Sequence, residues 1–387
     1  MGKSVQNINN KVSLIASEDT WIEGLAIQQL TKTAELAGMK WVAGMPDLHP
    51  GKGYPIGAAF FSENKIYPAL VGNDIGCGMS LWQTSVKLSK MNMDKMAKRL
   101  DDVEQPLDES WQSYIAGRKQ QKDIETSGFD SSLGTIGGGN HFAEFQAIDQ
   151  VVDDVAFDTL QLDKKQLQLL VHSGSRGLGQ SILVDHIGRF NHDGIITDSD
   201  EAVRYINAHD EAVRWAELNR ELIAKRFLHA IRADGQCSLD VNHNLVVAKT
   251  IATTQGWLHR KGATPSDKGV VMIPGARGDY SYLVKPLASQ VPAEKALYSL
   301  AHGAGRKWKR GDCKARLSHK YRRDDLYRSA LGSRVICGNK ELLYDEAPQA
   351  YKNCETIIND LVDAGLVSIV ARLKPVLTFK TQGGCSS

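Results

Sequence analysis

This 387-residue sequence predicts an α+β fold, read as one domain over residues 1–387. Three observations predict it. Short β-like runs broken by glycine fill the first 90 residues, one long stretch carries a helical period, and no regular strand–helix–strand rhythm links them. A parallel doubly wound sheet would need that rhythm, so mixed sheets with helices set apart are the better match.

Taken in order, WVAGMPDL, IGAAFFS, KIYPALVG and GMSLWQTSV read as strands between glycine turns. A helical pattern follows near residues 90–102, and LQLLVHSGS is strand-like up to His172. The strongest helix covers residues 198–232, where Val203, Ile206, Val213, Leu218, Leu222, Phe227 and Ile231 recur every three to four positions. Ser199 or Asp200 is placed to cap it. VVMIPG and YSYLV read as strands, residues 293–300 as a helix ending at His302, residues 348–363 as a helix and SIVARLKPVLTFK as the closing strand.

Apolar content of 42% and charged content of 24% are ordinary for a globular protein. A net charge of +2 excludes a chain coated with basic residues but leaves room for local basic patches. No apolar run is long enough to span a bilayer or form a signal peptide, so a cytoplasmic location is expected. Gly2 after Met1 is only a weak myristoylation context. None of the six cysteines forms a C-x-x-C pair, which argues against a zinc ribbon.

Five islands set histidine or cysteine among small residues and turns: GNDIGCG, GGGNHF, VHSGSRG, VNHNL and AHGAGR. Taken singly, a cysteine is usually a small buried hydrophobe and a histidine a hydrogen-bonded, half-buried residue. Glycine costs entropy, and what it offers is close backbone approach to a ligand. Asp74, Cys77, His141, His172 and His243 supply a carboxylate, a thiol and three imidazoles. That set is enough for more than one divalent ion and suits zinc, manganese, cobalt or nickel better than calcium or magnesium. His49 in MPDLHPGKGYP shares the setting but stays outside the metal set, and His186, His192, His209 and His229 read as ordinary.

The glycines at 137–139 and in GAGR expose backbone N–H groups of the kind that cradle phosphate. Arg176, Lys261, Arg277, Arg306 and Arg310 lie beside these turns. KWKRGDCKAR and HKYRR interleave basic and aromatic residues, as an RNA track or a solvated helix face would.

Together DIGCGM, GGGNHF, HSGSRG, HN, RKGAT, SYLV, HGAGR and KPVLTFK resemble the RtcB family of RNA ligases, with likeness from residue 45 to Lys380. The resemblance implies a large mixed-sheet catalytic domain of RtcB type. It implies joining of RNA 3′-phosphate or 2′,3′-cyclic-phosphate ends to 5′-hydroxyl ends, with GTP and two Mn2+ ions, in RNA repair or tRNA splicing. Asp74, Cys77, His141, His172 and His243 would then hold metal, and His302 would be the nucleophile that carries GMP. Asn140, His141, Phe142, Ala143, Glu144, His243, Asn244, Pro274, Gly275, Ala276, Arg277, Ser281, His302, Gly303, Ala304, Gly305 and Lys380 would line the nucleotide. Arg176, Arg306 and Arg310 would hold phosphates.

The chain departs from the common family pattern at GARG (275–278), at Lys309-Arg310 and at Lys380-Thr381. These features resemble the branch associated with release factor H, which implies broken tRNA or rRNA as substrate. Two other readings compete: a metal-dependent RNA cyclic phosphodiesterase or phosphatase that does not seal, and a nucleotide-regulated RNA-binding protein. His302 separates them, because neither needs a guanylated histidine.

Overall fold

The computed structural model describes residues 4–101 and 103–381, so Gly2 and Cys385 lie outside the described residues. The fold is α+β, built on two large mixed sheets.

The six-stranded sheet runs in the order Val5–Asn7, Val12–Ile15, Met39–His49, Ile56–Ser62, Thr254–Lys261 and Asn244–Ile251. The larger sheet runs Gly235–Asn242, Gly78–Lys87, Gln166–Ser173, Phe142–Val151, Val367–Phe379, Ser281–Pro286 and Val271–Ile273. Arg334–Ile336 adds to its Val367–Phe379 strand in parallel. An apolar core joins the two sheets, with Ala59 and Phe61 from the smaller one meeting Val241, Ile273 and Val284 from the larger.

The Asp200–Ile231 helix packs on the larger sheet through Ile223, Phe227 and Leu228, against Phe145, Leu169 and Phe379. Its apolar stripe is the one the sequence spacing marks, except that Val203 stays 60% exposed in the first turn. Ser199 is the cap, its Oγ accepting from the Ala202 N–H at 3.2 Å.

The expected helix over 293–300 is a correction. The helix is Gln290–Lys295, and Ser299–Ala301 is a strand paired with Ala263–Pro265. Leu297 and Tyr298 take φ of 49° and 50°, which ends any right-handed helix there. The turn delivers His302 from a strand end instead of a helix end. The 348–363 helix is likewise shorter, Cys354–Asp363, with Asn353 accepting from the Glu355 N–H at 2.8 Å.

Among the described residues, no helix is long and apolar enough to cross a membrane.

Candidate metal and nucleotide site

Strand register builds the site. Gly78 pairs with Asn242 on one side and Ser173 on the other, while Met79 and Phe142 both pair with His172. Cys77, His243, His172 and His141 therefore sit at the same end of the larger sheet. The His243 N–H donates to the Cys77 carbonyl at 2.7 Å, which locks two of these turns together.

Cys77 Sγ lies 3.2 Å from His172 Nε2 and 3.4 Å from His141 Nε2. His141 Nε2 is 2.8 Å from Asp74 Oδ2, and its Nδ1 faces the Ile136 carbonyl at 3.1 Å. Two candidate ligand groups result, Cys77–His172–His243 and Asp74–Cys77–His141, each with its donor atoms within 4.8 Å of one another. Cys77 belongs to both, as a bridging thiolate would.

Gly174 makes the packing possible, because a Cβ there would stand 2.1 Å from Asp74 Oδ1. Burial, with neighbouring imidazoles and cations, pushes His172 and His243 well below the ordinary histidine value, so both rings are neutral, as metal ligands must be. Burial and then the Asp74 charge push the Cys77 thiol well above its ordinary value, an effect a bound cation reverses. His243 Nδ1 is buried without a hydrogen-bond partner. The donor set fits divalent-cation binding.

His302 stands next to this cluster, its ring centroid 4.9 Å from that of His243. Its Nδ1 lies 2.6 Å from Asp47 Oδ2, though the pair lacks the direction of a hydrogen bond, and its backbone N–H donates to the same oxygen at 3.2 Å. Asp47 is fully buried. The Lys352 ammonium donates to the Pro46 and Leu48 carbonyls at 2.9 Å on either side of it, and burial lowers that lysine to about 8.

A cavity of about 670 Å³ opens from the cluster. Asp74, Cys77, His172, His243 and His302 line it, as do Asn140, Phe142, Glu144, Asn244, Pro274, Gly275, Ala276, Arg277, Gly303, Ala304, Gly305, Arg306, Arg310 and Lys380. Four expected residues are not in its lining. His141 reaches the site through Cys77 and Asp74. Ala143 is buried in the strand pairing beside Phe379. Ser281 stands behind the wall, where its Oγ accepts from Gln146 at 2.9 Å and from the Gly275 N–H at 3.3 Å. Arg176 holds a strained φ of 55°, and its Nε is buried without a partner.

Glu346 organises the cations of the pocket and carries no sequence signal. Its carboxylate takes Arg306 Nη1 at 3.0 Å, Arg310 Nε at 3.3 Å, Lys380 Nζ at 3.4 Å and the Tyr351 hydroxyl at 2.5 Å. Burial opposes its ionisation, but Lys380, Arg306 and Arg310 outweigh that and hold it at about 2. Arg306 is further committed to the Trp308 and Asp345 carbonyls at 3.1 and 2.8 Å. Glu144, by contrast, is raised by burial and held by Thr378 and by Gln146 at 2.7 Å. Asp47 and His49 were also missed as site residues. His49 is buried, lines the cavity and stacks on His302 at 6.4 Å, and its glycine-flanked motif was the available signal.

The tRNA-splicing ligase RtcB family profile matches residues 29–127 and 106–381. The chain belongs to the RtcB family. It is 57% identical over 385 residues to the RNA-splicing ligase RtcB2 of Escherichia coli, covering 99% of each chain. It is 30% identical to the tRNA-splicing ligase RtcB of Nanoarchaeum equitans and 28% identical to that of Methanococcus maripaludis, over 88% and 91% of each chain. The metal-ligand, His302 and Lys380 positions of the RtcB resemblance therefore fall in one cavity or against its wall.

Glu346 gives a pH prediction. Its folded value of about 2 lies below the unfolded carboxylate value, so its contribution is present above pH ~4.5 and is lost as pH falls toward 2. Glu346→Gln is expected to lower stability at pH 7 by on the order of 3 kcal/mol and to flatten the acid limb between pH ~4.5 and ~2. Urea unfolding across that range checks it.

Proposed function

We propose that this protein is an RNA ligase that joins 3′-phosphate or 2′,3′-cyclic-phosphate ends to 5′-hydroxyl ends, using GTP and two Mn2+ ions. The observation that carries the reading is His302 at the wall of a cavity that also holds the Cys77-centred ligand groups. Family membership supports it.

His302 Nε2 attacks the α-phosphorus of GTP. The bond to pyrophosphate breaks and a P–N bond forms. The RNA 3′-phosphate then attacks that phosphorus, the P–N bond breaks, and the RNA end carries GMP in a 3′–5′ pyrophosphate linkage. The RNA 5′-hydroxyl attacks the 3′-phosphorus, loses its proton and expels GMP. A cyclic phosphate is first opened by water to the 3′-phosphate.

Asp47 faces Nδ1 and so favours the tautomer that leaves Nε2 free to attack. Asp74, Cys77, His141, His172 and His243 would hold the ions, which would neutralise phosphate charge. Glu144 and Lys380 line the cavity where the nucleotide would sit, and Arg176, behind that lining with a buried Nε that lacks a partner, would need to turn inward to reach a phosphate. Arg310, 48% exposed at the rim, can do the same from Glu346, whereas Arg306 acts mainly by shaping the wall.

Residues 307–340 support a polyanionic substrate. They carry eleven Lys or Arg against three Asp, a net of +8, so the rest of the chain sums to −6. Lys307, Trp308, Lys309 and Arg310 line the cavity mouth, and Trp308 packs under Arg316 at 5.2 Å. Broken tRNA or rRNA is the fitting substrate. The branch likeness supports a functional link to release factor H and a cytoplasmic setting.

Sealing of a 3′-phosphate RNA to a 5′-hydroxyl RNA, with GTP and Mn2+, is expected from the native protein. His302→Ala is expected to lose it but to seal RNA already carrying a 3′-guanylyl group. Opening of cyclic phosphate with no sealing by the native protein would instead assign it as a phosphodiesterase.

Lys309→Ser tests the basic mouth. It is expected to weaken RNA binding and to make the plot of log affinity against log salt shallower by roughly 0.7. An unchanged slope would remove Lys309 from the RNA path.

A further inference from the structure

We propose that Asn219 and Arg220, adjacent residues in the middle of the Asp200–Ile231 helix, are positioning residues that preset the metal-ligand turns. The inference rests on the metal-ligand reading of Cys77, His141, His172 and His243, and not on the ligation chemistry.

Both side chains are fully buried. Arg220 Nη1 donates to the Gly76 carbonyl at 2.7 Å and to the Ser173 carbonyl at 3.0 Å. Nη2 donates to Asn242 Oδ1 at 2.6 Å, and Nε donates to Asp240 Oδ1 at 2.8 Å. Gly76 precedes Cys77, Ser173 follows His172, and Asn242 precedes His243. One guanidinium therefore grips the chain beside three of the ligands.

Asn219 holds the fourth turn. Its Oδ1 accepts from the Gly134 N–H at 2.8 Å, and its Nδ2 lies within reach of the Thr135 and Gly174 carbonyls and Ser173 Oγ at 3.2–3.3 Å. Ser173 Oγ donates to the Ile136 carbonyl at 2.8 Å, the same oxygen that faces His141 Nδ1. That contact sets which His141 nitrogen points at Cys77 and Asp74. Gly76 lets the Cys77 turn come this close to the helix. Its φ is +71°, and a Cβ would meet the Ala216 methyl at 2.9 Å.

Filling this space with an apolar side chain would avoid desolvating a guanidinium. What the guanidinium adds is direction, since a planar fork fixes several oxygens at once. Groups that orient metal ligands in this way typically change metal affinity 10–100-fold.

The test is Co2+ binding to the purified full chain, read by calorimetry and by the thiolate-to-cobalt absorption band, beside apo-protein melting. Arg220→Lys keeps the charge but loses the fork. It is expected to stay folded and to bind Co2+ roughly 10–100-fold more weakly, with an altered band. Leu222→Ala, two residues along the same buried helix, is the structural control: it is expected to lower the melting temperature and leave Co2+ affinity and the band unchanged. Wild-type affinity and band in Arg220→Lys would overturn the proposal. Should Arg220→Lys fail to fold, Asn219→Ser must show the affinity loss, and wild-type binding there would overturn it equally. Absence of Co2+ binding by the native protein would instead sink the underlying metal reading.

Discussion

The pairing of Gly78 with Asn242 on one side and Ser173 on the other brings the Cys77 thiol and the His172 and His243 imidazoles to one end of the larger sheet, and the pairing of Phe142 with His172 adds His141. Side chains alternate faces along a strand, so a one-residue slip would send Met79, Leu81 and Val171 away from their cores along with the ligands. Hydrophobic burial along these strands therefore enforces the geometry of the candidate ligand cluster. The long helix seals the same register from behind through Ile223 and Phe227.

Charge is balanced locally. The cavity gathers Arg277, Arg306, Arg310, Lys261 and Lys380, and burial alone lowers Lys261 to about 8. Glu346 tethers Arg306, Arg310 and Lys380, which holds mutually repelling cations in one wall. The thiol–imidazole cluster is the opposite case. Burial keeps its His172 and His243 rings neutral, with lone pairs open to a cation, and keeps the proton on the Cys77 thiol until a cation displaces it. An anionic nucleotide with divalent ions matches both halves of the cavity.

Much of this was legible in the sequence, because glycine marks turns and the chemistry sits on turns. DIGCG, GNH, HSGS and VNHN each end or begin a strand of the larger sheet. The Asp200–Ile231 helix was legible from its period and its serine cap. What was not legible depends on partners distant in sequence. Asp47 matters because residue 302 folds back onto it, and Glu346 because Arg306 and Lys380 converge there. Asn219 and Arg220 look like ordinary helix residues until the turns they hold are in place. The 293–300 segment misled because its composition is helical, while Leu297 and Tyr298 turn the chain into a strand that pairs with Ala263–Pro265.

The most direct test is to incubate the native protein with GTP and Mn2+, digest it under mildly basic conditions and map any GMP adduct by peptide mass spectrometry. The GMP mass is expected on the peptide containing His302, stable to base and lost in acid as a phosphoramidate is. An adduct on a lysine, or no adduct while RNA ends are still sealed, would contradict the assignment of His302 as the nucleophile.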